Sequence, residues 1–415
     1  EVFFIQLSRQ QERKKTEKLF SYKLEIDRND IEDFMSRFPF KPTNSQTKTI
    51  KTILGDLKKD KPMSRLIEGD VGSGKTFIAA TISYAVIKNR PLRSKSQKSS
   101  KRDKPAKKGE RLDFGNLQVA YMAPTEVLAT QLFENFIKYF EHTGISIGLV
   151  TSSGCRKFPA KTAGWKDGKQ IKTWTTISKN QLLKWVKNGE IPIVIGTHSL
   201  ISKSVLFEDL GLVIIDEQHR FGTNQRMKLA KKEGQAPHYL SMTATPIPRT
   251  LALTVYGDLD LSIIDEMPSG RKKVITEIVP ENKREDAYKK IEEELEKGKQ
   301  MYVICPKIDE PDEGQQIKLD VKSVTSEAKR LKEKVFPNKN IDIMHSKMSK
   351  QKKEEVMKKF EEKKIDILVS TSVIEVGVNI PNATVIIIEG AERFGLAQLH
   401  QLRGRVIRGE DQAYC

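Results

Sequence analysis

At 415 residues, 37% apolar and 31% charged, the chain has room for two or three domains with sizeable cores. It has no apolar run approaching the ~18 residues of a membrane span and no secretory leader, and its cysteines (Cys155, Cys305, Cys415) lack metal-ligand spacing. These features argue against a membrane protein, a disulfide scaffold and a zinc module, and for a cytoplasmic protein with reduced thiols. The net charge of +18 favours an anionic partner, although residues 88–111, with eleven Lys/Arg against two acids, hold half of the excess.

In chain order, residues 1–40 read as a helical segment. Val2, Phe3, Phe4, Ile5 and Leu7 precede a basic, Gln-rich stretch, and Ile31, Phe34, Met35 and Phe38 continue one helical face until Pro39-Phe40-Lys41-Pro42 breaks it. Thr43-Asn44-Ser45-Gln46 then caps a helix running towards Leu57. From Arg65 onward strand and helix patterns alternate, which predicts a parallel sheet with crossover helices. Strands are expected at 65–68, 117–123, 145–150, 191–196, 210–215 and 238–242, and helices at 76–88, 126–141 and 177–188. Two stretches interrupt the rhythm: a Lys/Ser/Pro-rich insert at 89–115, which reads as disordered, and a Gly/Lys-rich loop at 152–175 carrying Trp165 and Trp174.

The composition shifts near residues 267–273, where a domain boundary is placed. A second alternation follows, with strands expected at 274–279, 301–305, 341–344, 365–369 and 383–388 and helices at 283–297, 326–336, 350–363 and 396–406. The fold class is therefore α/β, with two parallel-sheet domains in tandem: a helical segment at 1–40, a first domain at 41–268 and a second at 269–415. The chain starts at Glu1 without Met and stops at Cys415 just after a strand-like start, so a fragment of a longer protein is expected.

Three constellations carry chemistry. Gly69-Asp70-Val71-Gly72-Ser73-Gly74-Lys75-Thr76, after a short apolar run and before a helix-forming run, is a P-loop. Gly69, Gly72 and Gly74 let backbone N–H groups approach phosphate, and the helix start adds its positive dipole end. Lys75 reaches the β/γ-phosphates and the Thr76 hydroxyl ligates Mg²⁺, so ATP and Mg²⁺ are the expected ligands. Leu212-Val213-Ile214-Ile215 is a buried strand that delivers Asp216 and Glu217 at its carboxyl end, where α/β sheets place ligands. Asp216 suits the Mg²⁺, and Glu217 suits the water that attacks the γ-phosphate. Third, Arg405 and Arg408 lie three apart on an expected helix, facing the same way while Arg403 points elsewhere. If the second domain closes on the first, both can serve as arginine fingers. Only the first domain has a P-loop, which suggests a paired motor core and not two separate enzymes.

Together these stretches resemble superfamily 2 helicases, whose core is a pair of RecA-like domains, and more closely the RecG family of DNA helicases. Residues 123–129 (APTEVLA) resemble motif Ia, 196–201 (GTHSLI) motif Ib, 216–222 (DEQHRFG) motif II, 242–250 (MTATPIPRT) motif III, 370–383 (STSVIEVGVNIPNA) motif V and 391–409 (AERFGLAQLHQLRGRVIRG) motif VI. The resemblance runs from about Phe38 to the end of the chain. It implies ATP-driven translocation on double-stranded DNA and remodelling of branched DNA, such as stalled forks and Holliday junctions, in repair and recombination. It also implies a bacterial cytoplasmic protein associated with the nucleoid, acting as a monomer.

The resemblance assigns residues as well. Gln46 resembles the adenine-reading glutamine upstream of the P-loop, and Ser73 joins the nucleotide-binding set. Gln401, Arg405 and Arg408 of motif VI join Glu217 as the hydrolytic set. Thr243 and Thr245 resemble the motif III hydroxyls that couple nucleotide to DNA. His219 either takes part in that coupling or is a satisfied core histidine. Gly377 of motif V lets the backbone approach nucleotide or phosphodiester, while Asn379 stands where the family usually has Asp. Thr125, Thr197 and Arg249 are candidate DNA contacts by motif position. Trp165 and Trp174 either stack on bases or pack within their loop. The basic run at 88–111 is a solvated loop, a tether or a nonspecific DNA contact. Two parts of the family are not found in the sequence: the wedge domain, of which only a trailing helix at 1–18 is expected, and the segment after motif VI. Three alternatives stand beside the main one: a translocase like the transcription-repair coupling factor, a nucleotide and DNA clamp without turnover, and an RNA-unwinding motor.

Overall fold

In the computed structural model, the first unit of the chain, Glu1–Met267, is built on a nine-stranded sheet and the second, Pro268–Cys415, on a four-stranded one. The structure describes residues 18–90, 116–160, 173–202, 204–217, 236–245, 259–268, 272–306, 323–345, 347–371, 382–407 and 411–415, with isolated positions elsewhere and the backbone of two short strands between 165 and 170. The basic insert expected to be disordered lies, from residue 91 to 115, outside the described residues.

In the first unit the strands are β1 (Ser64–Gly69), β2 (Gln118–Met122), β3 (Ile147–Thr151), β4 (Gly154–Phe158), β5 (Trp165–Lys166), β6 (Lys169–Gln170), β7 (Thr175–Ile177), β8 (Ile193–Gly196), β9 (Leu210–Asp216), β10 (His238–Thr243) and β11 (Asp260–Ile264). The large sheet runs β11-β1-β10-β9-β2-β8-β3-β4-β7. All pairings from β11 to β3 are parallel, and only β4 and β7 join antiparallel. The inner strands β2, β3, β8 and β9 are near-continuous apolar runs because both faces are covered. In β9, Leu212 and Ile214 enter one core, shared with the helices Asn44–Leu57, Lys75–Ile87 and Glu126–Phe140, while Val213 and Ile215 enter the other, shared with Lys179–Lys187.

Local chemistry explains where the helices start. Thr43 accepts a bond from Gln46 N (3.2 Å) while the Gln46 side chain accepts one from Thr43 N (3.0 Å), a reciprocal cap that begins Asn44–Leu57. Thr125 and Ser178 cap Glu126–Phe140 and Lys179–Lys187 in the same manner, each accepting from an N–H three residues on. The Lys75–Ile87 helix is different: its N-cap is Gly74, in the left-handed region, and makes no side-chain cap.

Three expectations need correction. The helix predicted over 1–40 is found at the described positions Leu7, Gln10, Gln11, Arg13 and Lys14 and over Arg28–Ser36, but residues 21–27 are not helical. They lie along the first unit instead, with Ser21 N bonded to Asp60 O (2.9 Å) and Leu24 N to Leu57 O (3.0 Å). The loop expected at 152–175 contains β4 and the start of β7, which widen the sheet. Finally, the sequence pattern does not predict β11; it is short and half-exposed and so lacks the apolar signature of an inner strand, yet it pairs along most of β1.

The second unit carries β12 (Gln300–Cys305), β13 (Ile341–Met344), β14 (Ile367–Thr371) and β15 (Ala383–Ile388), all parallel in the order β13-β14-β12-β15. Helices Arg284–Glu296 and Lys350–Glu361 supply its covering layers. The expected strand at 274–279 is reduced to one bridge at Ile275. Tyr414 bridges both Ile275 and Val385, with Ile275 N bonded to Ala413 O (2.9 Å). The helix expected at 326–336 begins earlier, at 323, and its last turn, Leu331–Val335, widens into a π-helix. The helix expected through 406 ends at Arg403, and Gly404–Val406 is a 3₁₀ turn.

Candidate functional site: a P-loop and its neighbouring strand ends

Strand register places the chemistry. Ile67 of β1 lies opposite Met242 of β10, and Met242 lies opposite Asp216 of β9. The P-loop after Gly69, the Thr243–Thr245 segment and the Asp216-Glu217 pair therefore leave one sheet at the same carboxyl edge, in three adjacent strands.

Within the P-loop, Gly72 (φ 82°) and Gly74 (φ 88°) occupy the left-handed region that disfavours side chains. Lys75 Nζ donates to Gly69 O (2.6 Å) and Asp70 O (2.8 Å), so the ammonium lies folded onto its own loop. Ser73 is buried, and its hydroxyl has no hydrogen-bond partner among the described residues. An uncapped helix start, a cation within reach and an orphaned hydroxyl fit a phosphate ligand. Thr76, in the first helical turn, and Asp216 are both half-buried. One carboxylate and one hydroxyl completed by phosphate oxygens and water suit Mg²⁺, which seldom has an all-protein cage; among the described residues no cluster of three or more His, Cys, Asp or Glu could hold a metal.

Gln46 is fully buried. Its Oε1 accepts from Thr43 N, and its Nε2 donates to Ser73 O (2.7 Å). The amide braces the P-loop from below, and an added Cβ at Gly74 would collide with it. The amide that the resemblance assigns to adenine is thus engaged with backbone at both ends.

Glu217 sits at φ 57°, unusual for a residue other than glycine. Its N–H donates to Met242 O (2.9 Å), and its Oε1 accepts from Ala244 N (3.2 Å). Ala244 lies between Thr243 and Thr245, whose hydroxyls meet at 2.8 Å. The motif II carboxylate is thereby tied to the motif III turn, a link that has no local signature because it joins residues 27 apart.

The remaining assignments divide. Thr125 and Thr197 follow the neighbouring strands β2 and β8, in which Met122 pairs with Gly196. Thr125 spends its hydroxyl on its helix cap, and the Thr197 hydroxyl lies 3.4 Å from that of Ser199. In the second unit Gln401 and Arg405 are half-buried, Gln401 in the helix Leu396–Arg403 and Arg405 in the 3₁₀ turn that follows. The continuous helix expected to align Arg405 with Arg408 is therefore broken before Arg405. Arg408, Gly377, Asn379, His219 and Arg249 lie outside the described residues.

Three features escaped sequence reasoning. Phe40, 38% exposed, packs edge-on against Phe77, two residues beyond Lys75, with centroids 5.3 Å apart, and so offers an aromatic surface close to the P-loop helix. Tyr121 of β2 is fully buried, and burial together with the Asp216 charge pushes its phenol well up, keeping it protonated. In the second unit, Arg284 pairs with Glu389, the residue after β15, and Arg284 and Arg330 both donate to the Tyr288 phenol (2.7 and 2.6 Å).

Two α/β units, with a P-loop in the first and an Asp-Glu pair two strands away, define the class as a helicase motor core. Residues 43–254 match the DEAD/DEAH box helicase family, and residues 283–410 match the helicase conserved C-terminal domain. The ATP-dependent DNA helicase RecG of Aquifex aeolicus is 44% identical over 100% of this chain, which covers 46% of that protein. The RecG of Bacillus subtilis is 43% identical over 92% of this chain, covering 48% of that protein. A solved structure described as RecG bound to a three-way DNA junction aligns with a TM-score of 0.72 at 36% identity, over 100% of this chain and 48% of that one. The chain belongs to the RecG family of DEAD/DEAH box helicases, and it spans about half the length of the curated relatives it matches.

Proposed function

We propose that the chain is the motor of an ATP-dependent DNA helicase that remodels branched DNA, such as stalled forks and Holliday junctions, during repair and recombination in the bacterial cytoplasm. The observation that carries this is the identity to RecG helicases over the whole chain, through a site whose P-loop, motif II and motif III share one sheet edge. The P-loop and the uncapped start of the Lys75–Ile87 helix would receive the triphosphate. Lys75, which donates to its own loop carbonyls Gly69 O and Asp70 O, would turn its ammonium to β/γ-phosphate oxygens. Thr76 and Asp216 would hold Mg²⁺, which would supply neutralisation of the phosphate charge. Glu217 orients the attacking water. Because Ala244 N–H holds the Glu217 carboxylate, a change in that carboxylate's partners is felt by Thr243 and Thr245. Thr125 and Thr197 offer contacts to phosphodiester, and Gln401, Arg405 and Arg408 are assigned to hydrolysis by their motif VI positions. The motor acts as a monomer.

The test is ATP turnover with and without forked duplex DNA. Lys75→Ala and Asp216→Asn are expected to abolish DNA-stimulated hydrolysis while circular dichroism and the unfolding midpoint stay close to those of the parent protein. DNA-stimulated turnover at the parent rate in either folded variant refutes the assignment.

A further inference from the structure

The positive charge of this protein is concentrated. Residues 154–187 carry nine Lys/Arg and one acid, Asp167, and with residues 88–111 they account for nearly all of the +18. The same stretch contains all three tryptophans, Trp165, Trp174 and Trp185.

The described part of this stretch is an addition to the outer edge of the first unit's sheet. After β3 the chain turns back as β4, and β7 pairs on the far side of β4, both antiparallel. The helix Lys179–Lys187 follows and buries Leu182 and Val186. Trp174 packs on one core, with the Arg156 guanidinium 4.2 Å from its ring centroid. Trp185 packs on the other core, with Lys157 Nζ at 5.4 Å. Both rings are half-buried. They are platforms that hold cations in place and are poorly disposed to stack on bases. Lys179, Lys184 and Lys187 are exposed and have no carboxylate partner among the described residues, while Arg156 has only the exposed Glu134, at 3.9 Å.

Such an arrangement is costly without a partner. Arg156 and Lys157 leave opposite faces of β4, so like charge lines both faces of this sheet edge and repels itself, and between residues 142 and 189 the sequence supplies only Asp167 to offset it. A polyanion removes that repulsion and gains counterion-release entropy for each phosphate neutralised. Cation–π contacts lower the entropy lost when Arg156 and Lys157 are fixed against it.

We propose that β4, β7 and the Lys179–Lys187 helix form an accessory arm that grips the phosphodiester backbone of duplex DNA without reading its sequence. The arm rests on the DNA-motor function proposed above and adds to it a holding surface separate from the P-loop edge. It gives the motor a grip that depends on salt and not on nucleotide state.

The test measures equilibrium binding of the whole chain to duplex DNA between about 50 and 200 mM salt. In the variant Arg156→Gln/Lys157→Gln/Lys184→Gln/Lys187→Gln, the slope of log K against log salt is expected to become shallower by about 2–4, at roughly 0.9 for each phosphate no longer neutralised. Affinity at the low-salt end falls ~10–100-fold. The charge-keeping variant Lys157→Arg/Lys184→Arg/Lys187→Arg keeps the parent slope. Should the fourfold variant fold poorly, Lys184→Gln/Lys187→Gln, confined to exposed helix positions, still flattens the slope by about 1–2. A parent-like slope and affinity in the folded neutral variants overturns the arm, as does lost affinity for an RNA duplex or an acidic polypeptide with DNA affinity intact. If the parent protein binds no DNA and shows no DNA-stimulated ATP turnover, the motor assignment itself falls; if the parent binds and the variants match it, only the arm falls.

Discussion

Glu217 is held in a backbone conformation that costs a non-glycine residue ~1–2 kcal/mol, and two hydrogen bonds, to Met242 O and from Ala244 N, offset that cost. The geometry fixes its carboxylate while Asp216, one residue earlier, still follows the strand. Glu217→Gln preserves shape and removes charge, so hydrolysis should fall by ~10²–10⁴ with ATP affinity within a few-fold of the parent. Single-turnover kinetics beside nucleotide titration would reveal this; equal losses in both would show that Glu217 binds nucleotide instead. Gln46 is likewise fixed by its hydrogen bonds. Its removal leaves Ser73 O buried and unpaired, at a cost of about 1–3 kcal/mol. Gln46→Ala should raise the KM for ATP more than it lowers kcat and should lower the unfolding midpoint. An unchanged midpoint would mean that the brace contributes nothing.

Among elements, the first turn of the Asn44–Leu57 helix touches two functional segments at once. Gln46 holds Ser73 of the P-loop, while Ser45 N donates to Glu266 (3.2 Å) and the Ser45 hydroxyl accepts from Asp265 N (3.3 Å). Those acids follow β11 and precede Met267, where the chain leaves the first unit. Gly69, at the root of the P-loop, is in register with Ile264 of the same strand. One helical turn therefore connects the nucleotide loop to the exit of the chain. Ser45→Ala and Glu266→Gln should couple, with a non-additivity of about 0.5–3 kcal/mol in a urea-unfolding double-mutant cycle, because the two bonds hold the same junction and weakening one lets the other shift. Strict additivity would show the contact to be incidental. At motif VI, the break in the helix after Arg403 sets Arg405 in a separate 3₁₀ turn, so the three-residue spacing to Arg408 no longer implies a shared face.

At the scale of the molecule, His238 joins three parts of the first unit. It is fully buried; its Nδ1 accepts from Met63 N (3.1 Å), before β1, and its Nε2 meets Tyr22 O (2.7 Å), in the segment that precedes the sheet in sequence. Burial lowers its pKa to about 4, with the Tyr22 carbonyl and the Asp56 charge opposing more weakly. A depressed folded pKa means that the unfolded chain binds the proton first. The contribution is whole above about pH 6.5 and is lost as pH falls towards 4, a loss of roughly 3 kcal/mol for the net shift. The unfolding midpoint should fall across that window, and His238→Asn should flatten the dependence. A midpoint with the same slope in the variant would place the titration elsewhere.

Much was legible in the sequence because it depends on neighbours in the chain. The P-loop needs its glycines, lysine and hydroxyl at fixed offsets, the Thr43/Gln46 cap closes over three residues, and a strand buried on both faces must be apolar throughout, as Leu212–Ile215 is. Such local requirements determined the α/β class, the succession of strands and helices along the chain and the choice of Lys75, Asp216 and Glu217 as the residues proposed for the chemistry. Tertiary structure alone decided what lies beside what. It put β10 between β1 and β9, spent the Gln46 amide on the P-loop, tied Glu217 to Ala244, set Trp174 under Arg156 and ended the motif VI helix before Arg405. Hydrogen bonds and ring contacts between residues far apart in sequence leave no periodicity for a linear pattern to carry; they exist only once the sheet has closed its two cores and brought its carboxyl edge together.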